Sequence, residues 1–199
     1  MKSFVAFMLT GVAVAYAMTQ ADKDAVLAAH NNFRDEVANG DKVGKDGATP
    51  EASDMLKMVW DDEIAAGAQA WADACVFAHS SSSQRPNQGE NLAASTGADV
   101  NYLSNLWFKE VETDSVSSYS AYVFESGVGH YTQAVWGNSN KLGCGKALCP
   151  DLFPGWNMYF LVCRYSPPGN YIGNKIYSQG SPQSACPNGP AAGTNALCA

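Results

Sequence analysis

Apolar residues recur every three or four positions near the start of the chain, at Val26, Ala29, Phe33 and Val37. This is helical spacing and predicts a first helix with one buried face. Thr19 can cap it, with Asp22 three residues on in the capping-box position. Asn39-Gly40-Asp41 stops it, and a loop rich in Gly, Asp, Lys and Pro follows from Lys42 to Ser53. Ile64, Ala68, Trp71, Ala72 and Cys75 predict a second helix from about Asp61 to Cys75. Its other face is rich in alanine, so neighbouring elements can approach closely. A third helix is predicted from about Asp99 to Glu112, with Leu103, Leu106, Trp107 and Val111 inward. Between these two lies a polar loop, His79 to Gln88, with four consecutive serines. Gly89-Glu90-Asn91-Leu92 reads as a short extended piece. Thr113 to Val128 is a flexible segment before a short helix holding His130 to Trp136. Strand signals cover Leu142 to Leu148 and Asn157 to Arg164, with a turn or loop at Asp151 to Gly155. Helices alternating with few strands predict helices layered over a small sheet.

The first seventeen residues change this picture. Lys2 supplies a positive start, Phe4 to Val14 is an apolar run, and Ala15-Tyr16-Ala17 is a small-x-small cleavage pattern. Residues 1–17 are therefore expected to be a signal peptide, with Met18 as the first mature residue. The apolar run is too short to span a membrane, and no later run is long enough. The formal charge is −7, from 12 basic and 19 acidic residues. Such a balance argues against nucleic acid, which is bound through basic patches, and against anionic membranes bound by charge. Beyond Gly173 the chain turns rich in Gly, Pro, Ser and Asn, and residues 176–199 are expected to be a tail with no core of its own.

All six cysteines follow the expected cleavage point: Cys75, Cys144, Cys149, Cys163, Cys186 and Cys198. An even count behind a signal peptide predicts three disulfides in an oxidising compartment. The sequence alone leaves about fifteen pairings open. No Cys-x2-Cys spacing points to a zinc–thiolate site. No Asn-x-Ser/Thr sequon is present.

The chain has three histidines, His30, His79 and His130. His130 opens the segment Gly129-His130-Tyr131-Thr132-Gln133-Ala134-Val135-Trp136. Downstream stands Phe160-Leu161-Val162-Cys163-Arg164-Tyr165-Ser166-Pro167-Pro168-Gly169-Asn170-Tyr171. Together these resemble the two signature segments of the CAP superfamily, the secreted domain shared by antigen-5 venom allergens, cysteine-rich secretory proteins and plant pathogenesis-related 1 proteins. One departure is Ala134, where the family usually carries a larger aliphatic residue. The resemblance implies an α+β fold, a three-layer α-β-α sandwich spanning residues 18–175. The tail looks most like that of secreted venom-allergen-like proteins of nematodes. It lacks the ten-cysteine module of the cysteine-rich secretory proteins, so ion-channel block gains no support.

By the same resemblance, His79, Glu90, Glu110 and His130 match the tetrad that lines the family's central cavity. The spacing agrees for Glu110, which falls beside the buried face of its helix after Leu103, Leu106 and Trp107. A buried carboxylate must be paired, protonated or metal-bound. His79 and His130 are the expected ligands of Zn2+ or another divalent cation. The four residues could equally form a hydrogen-bonded structural core. A hydrolase using the same cleft is the runner-up, with Glu90 or Glu110 as base. Ser80 to Ser83 and Thr132 follow the histidines, yet no Gly-x-Ser-x-Gly elbow and no His-Glu-x-x-His helix is present. The serines read as loop filler.

The resemblance also implies the pairings Cys75–Cys149, Cys144–Cys163 and Cys186–Cys198. It makes His30, Asn31 and Arg34 structural ties of the first helix. Tyr119, Tyr122 and Phe124, with Val123, lie where yeast members carry a loop implicated in sterol binding. An apolar ligand such as a sterol or fatty acid is one expected partner there, and an extracellular protein is the other. The overall expectation is a secreted, disulfide-stabilised binding protein rather than an enzyme.

Overall fold

The structure is a computed structural model that describes residues 17–113 and 115–199. The expected signal peptide lies outside the described residues, apart from Ala17.

Helix α1 (Gln20–Ala38) begins at the expected box: the Asp22 N–H donates to Thr19 Oγ1 at 3.1 Å, and the Thr19 N–H to Asp22 Oδ2 at 2.9 Å. Two short strands, β1 (Val43–Gly44) and β2 (Gly47–Ala48), pair in the following loop. Strand β3 (Val59–Trp60) then leads into helix α2 (Asp62–Asp73), capped by the Asp61 carboxylate. Strand β4 (Gly89–Ser95), helices α3 (Val100–Phe108), α4 (Glu110–Thr113) and α5 (Gly129–Ala134), and strands β5 (Lys141–Phe153) and β6 (Trp156–Ser166) complete the chain order.

The main sheet runs β3-β5-β6-β4. In this sheet β3 is parallel to its neighbour β5, and β6 is antiparallel to both of its neighbours, β5 and β4. Residues of β6 alternate between two cores. Phe160 and Val162 join Ala68 and Ala72 of α2 on one face. Leu161, Cys163 and Tyr165 join α1, α3 and α5 on the other. One helix on one face and the others on the other make the α-β-α sandwich. The contact with α2 is close because β5 offers glycine there. A Cβ on Gly145 would stand 2.2 Å from Gln69 Cα, and one on Gly143 2.3 Å from the Ala65 nitrogen.

Four expectations are corrected. The second helix ends at Asp73, because Cys75 takes a left-handed φ of 54°. The expected continuous third helix breaks at Lys109, so Glu110 starts a separate turn. Leu106 is exposed rather than inward: α3 buries Val100, Leu103, Ser104, Trp107 and Phe108, and residue 106 lies off that arc. The turn placed at Asp151 to Gly155 is narrower, since β5 continues to Phe153.

Three disulfides join Cys75 to Cys149, Cys144 to Cys163 and Cys186 to Cys198. The tail lies on the main core. Ile176, Tyr177, Ala196 and Leu197 are buried in it, and the Asp35 carboxylate of α1 accepts from the Asn195 and Ala196 N–H groups.

Candidate functional site

The site forms around β4, an edge strand of the main sheet. Glu90 pairs in register with Arg164 of β6, so their side chains share the α2 face. There the Glu90 carboxylate is saturated. Its Oε1 accepts the Ser80 N–H at 2.9 Å and His79 Nδ1 at 3.1 Å. Its Oε2 accepts Ser80 Oγ at 2.6 Å and Arg164 Nε at 3.1 Å. Arg85 Nε adds an ion contact at 3.8 Å. Burial by itself would raise the carboxyl's pKa. The donors from His79, Ser80 and Arg164 outweigh it and hold the group down at about 2, so Glu90 is an anion at neutral pH. His79 comes from the loop after α2, which Cys75–Cys149 ties to β5, and its ring is half-exposed.

The second pair lies beyond α3. The break at Lys109 swings Glu110 out of the α3 axis and under the start of α5. Glu110 Oε2 accepts the His130 and Tyr131 N–H groups at 3.0 and 2.9 Å. Oε1 accepts His130 Nδ1 at 2.6 Å. This carboxylate supplies the cap that Val128 does not give to α5. The His130 ring lies nearly parallel to Trp107, centroids 6.3 Å apart. Asn91 links the two halves: it follows Glu90 on β4, and its Nδ2 donates to the His130 carbonyl at 2.9 Å.

The four sequence-predicted residues thus form two His–Glu pairs. A cleft of about 410 Å³ opens beside the first, lined by His79, Arg85, Gln88, Glu90, Gln133 and Asn170 among others. Glu110 and His130 are not among its lining residues. No group of three or more His, Cys, Asp and Glu side chains gathers for a metal among the described residues. Each imidazole nevertheless has Nδ1 against a carboxylate, which leaves Nε2 as the nitrogen open to a ligand. Imidazole nitrogen completed by water is a donor chemistry that suits a borderline-soft divalent cation.

Three contributors were missed in the sequence. Ser80 is no filler: it is buried and gives Glu90 two hydrogen bonds. Arg164 is the counter-ion of Glu90, and a lone charge in the apolar run 160–165 was its signal. Asn91 bridges the pairs, which only the strand register reveals.

The remaining predicted residues are placed as follows. His30 is fully buried, with Nδ1 at 2.7 Å from the Val26 carbonyl and Nε2 at 2.9 Å from Tyr165 Oη. Burial pushes its pKa down to about 4, so it is neutral. Arg34 Nη1 donates to the Ala134 and Trp136 carbonyls, and Asn31 Nδ2 to that of Met58. Tyr122 is buried against Trp136, and Tyr119 Oη meets Tyr131 Oη at 3.1 Å. Of the three aromatics of that loop, Phe124 alone is exposed. Thr132 Oγ1 donates to Asn170 Oδ1 at 2.8 Å.

The model of the cysteine-rich secretory protein family, CAP, matches residues 27–165. Venom allergen 5 of Rhynchium brunneum is 42% identical over 181 residues, covering 84% of this chain and 77% of that protein. The Ancylostoma secreted protein of Ancylostoma caninum is 36% identical over 197 residues, covering 91% of this chain. The chain spans less of the longer relatives: 45% of the Ancylostoma protein and 34% of mouse peptidase inhibitor 16. A crystal structure of NaASP2 with Zn2+ superimposes with a TM-score of 0.81 at 34% identity, covering 92% of this chain and 97% of the other. On these matches, the chain belongs to the CAP, or cysteine-rich secretory protein, family and is venom-allergen-like within it.

Proposed function

We propose that this protein is a secreted CAP-domain binding protein whose two His–Glu pairs bind a divalent cation through His79 and His130. The observation that carries the reading is the hydrogen bond that each ring makes through Nδ1. Each has Nδ1 fixed by a carboxylate, the arrangement that aims and strengthens the opposite nitrogen of a metal-ligating histidine. Zinc or a similar ion would supply an exchangeable positive centre. The protein's own part is to fix the Nδ1 side of each imidazole against a carboxylate, with His79 beside the polar cleft. NaASP2, similar along nearly its whole length, has been crystallised with Zn2+. The beginning of the chain, with its cleavage pattern, and the three disulfides support export to an oxidising compartment. An extracellular protein, or a sterol or fatty acid, is the partner class this reading assigns to a surface away from the cleft, with the Tyr119, Tyr122 and Phe124 loop as the candidate for an apolar ligand.

Hydrolysis is disfavoured by the same contacts. Ser80, the serine next to His79, is buried and gives its hydroxyl proton to Glu90 rather than to an imidazole. An activated nucleophile needs a base within hydrogen-bond reach and an open approach.

The test is a zinc titration by calorimetry at neutral pH on the oxidised protein, beside the His79→Ala/His130→Ala double variant with its fold checked by circular dichroism. Saturable binding lost in the variant is expected. Equal binding by both, or by neither, refutes the cation site and leaves the pairs as a structural polar core.

A further inference from the structure

Five apolar side chains gather at the end of the sheet remote from Glu90. Beyond the Cys149–Met158 pair, β5 and β6 run on as a hairpin whose last pair is Phe153 with Trp156. Pro154 and Gly155 make the turn, which needs the positive φ of 80° at Gly155. Trp156 is 61% exposed and Phe153 37%. Phe77, from the loop after α2, sets its ring steeply against Phe153 at 5.1 Å and packs beside Phe160 at 5.6 Å. Val76 stands exposed next to it, and Leu152 lies half-buried beneath. Cys75–Cys149 ties that loop to the base of the hairpin. The aromatic tip is therefore held in place before any partner arrives, which lowers the entropy lost on docking.

The chemistry around the tip narrows the occupant. Asp151 is the only ionisable residue from Pro150 to Met158. No lysine or arginine is there to meet an anionic surface, and the chain as a whole carries −7. The tip is a protrusion, so it enters a surface rather than enclosing a ligand. An amphipathic indole with an adjacent phenyl ring suits the boundary between headgroups and acyl chains.

We propose that the β5–β6 hairpin tip, led by Trp156 and Phe153 and backed by Phe77, docks this protein on neutral, zwitterionic phospholipid membranes. Trp156 and Arg164 are eight residues apart on β6, about 26 Å of strand at ~3.3 Å per residue. The His79–Glu90 cleft beside Arg164 therefore stays clear of the bilayer while the tip is inserted.

The test is co-sedimentation with phosphatidylcholine vesicles, using oxidised protein recovered from the medium of secreting cells. Wild type is expected to bind, and Trp156→Ala and Phe153→Ser each to lower the partition coefficient by about tenfold. Both residues are exposed, and near-UV circular dichroism verifies that the variants keep the fold. Tyr102→Ala, an exposed aromatic on α3, is expected to bind as wild type does. Absence of binding, or binding indifferent to Trp156→Ala and Phe153→Ser, overturns the proposal. So does binding that appears only when phosphatidylserine is added, since that is recognition of charge. Concentration-dependent dimers abolished by Trp156→Ala, without vesicle binding, would make the tip a contact between two copies and overturn it as well.

Discussion

Replacing Glu90 with glutamine tests whether the first His–Glu pair stabilises the fold as an anion. The carboxyl titrates at about 2 in the native state against a usual 4.5. Each pH unit of that difference is worth about 1.4 kcal/mol, so the native contacts of the anion contribute about 3 kcal/mol at neutral pH. Because the folded value is the lower one, this stability is fully present above pH 4.5 and is lost as pH falls through about 2. Linkage leaves less than half of it at pH 3 and little of it at pH 2. Glu90→Gln has no proton to gain and strands the buried Arg164 guanidinium at every pH. Urea unfolding of the oxidised proteins at pH 7, 5, 4 and 3, followed by circular dichroism, should show the variant about 3 kcal/mol less stable at pH 7. The gap should narrow by more than half at pH 3. Other depressed carboxylates, Asp54 and Asp22 among them, titrate in both proteins and cancel in the difference. A gap that stays constant from pH 7 to pH 3 would refute the claim that the bound species is the anion.

Arg34→Met should destabilise the fold by about 3 kcal/mol in urea unfolding at pH 7, because the Leu56 and Ala134 carbonyls lose the guanidinium and those of Trp136 and Gly137 keep only a backbone N–H, from Ser139 and Leu56; a loss under about 1 kcal/mol would mean that other donors replace it. Gly145→Ala should lower stability by about 2–3 kcal/mol through overpacking, since its Cβ meets the α2 backbone rather than a yielding side chain. The control Gly155→Ala has open space and suffers only its positive φ; equal losses in the two would show that contact with α2 is not the cause.

Much of the fold was legible because it rests on local chemistry. Thr19 and Asp22 form the expected box, since a capping box involves residues three apart and needs no tertiary partner. The apolar stripe of α1 likewise finds its core. Leu106 was misassigned because three large apolar residues in a row of five leave the buried arc ambiguous until a partner face is known. The break at Lys109 was invisible in the pattern. It is set by Glu110 reaching His130 and Tyr131, twenty and twenty-one positions away. The first pair of the site was half-legible: His79 and Glu90 were singled out through family resemblance, whereas the contact of Arg164 with Glu90 comes from the pairing of β4 with β6 and that of Ser80 from the fold of the loop after α2.

The sequence by itself determined the helices with strong periodicity, the α1 cap, the even cysteine count and the two signature segments that mark the family. Each is a property of residues close together in the chain, where spacing alone decides which side chains can meet. Tertiary structure alone decided which carboxylate holds which imidazole, that the His–Glu pairs are two, and that Tyr119 and Tyr122 turn inward while Phe124 does not. It also decided that the tail lies on the main core and that Phe77 meets the hairpin tip. These contacts join residues far apart in sequence. Their partners are chosen by strand register and by the competition of many surfaces for one core, which no local pattern encodes.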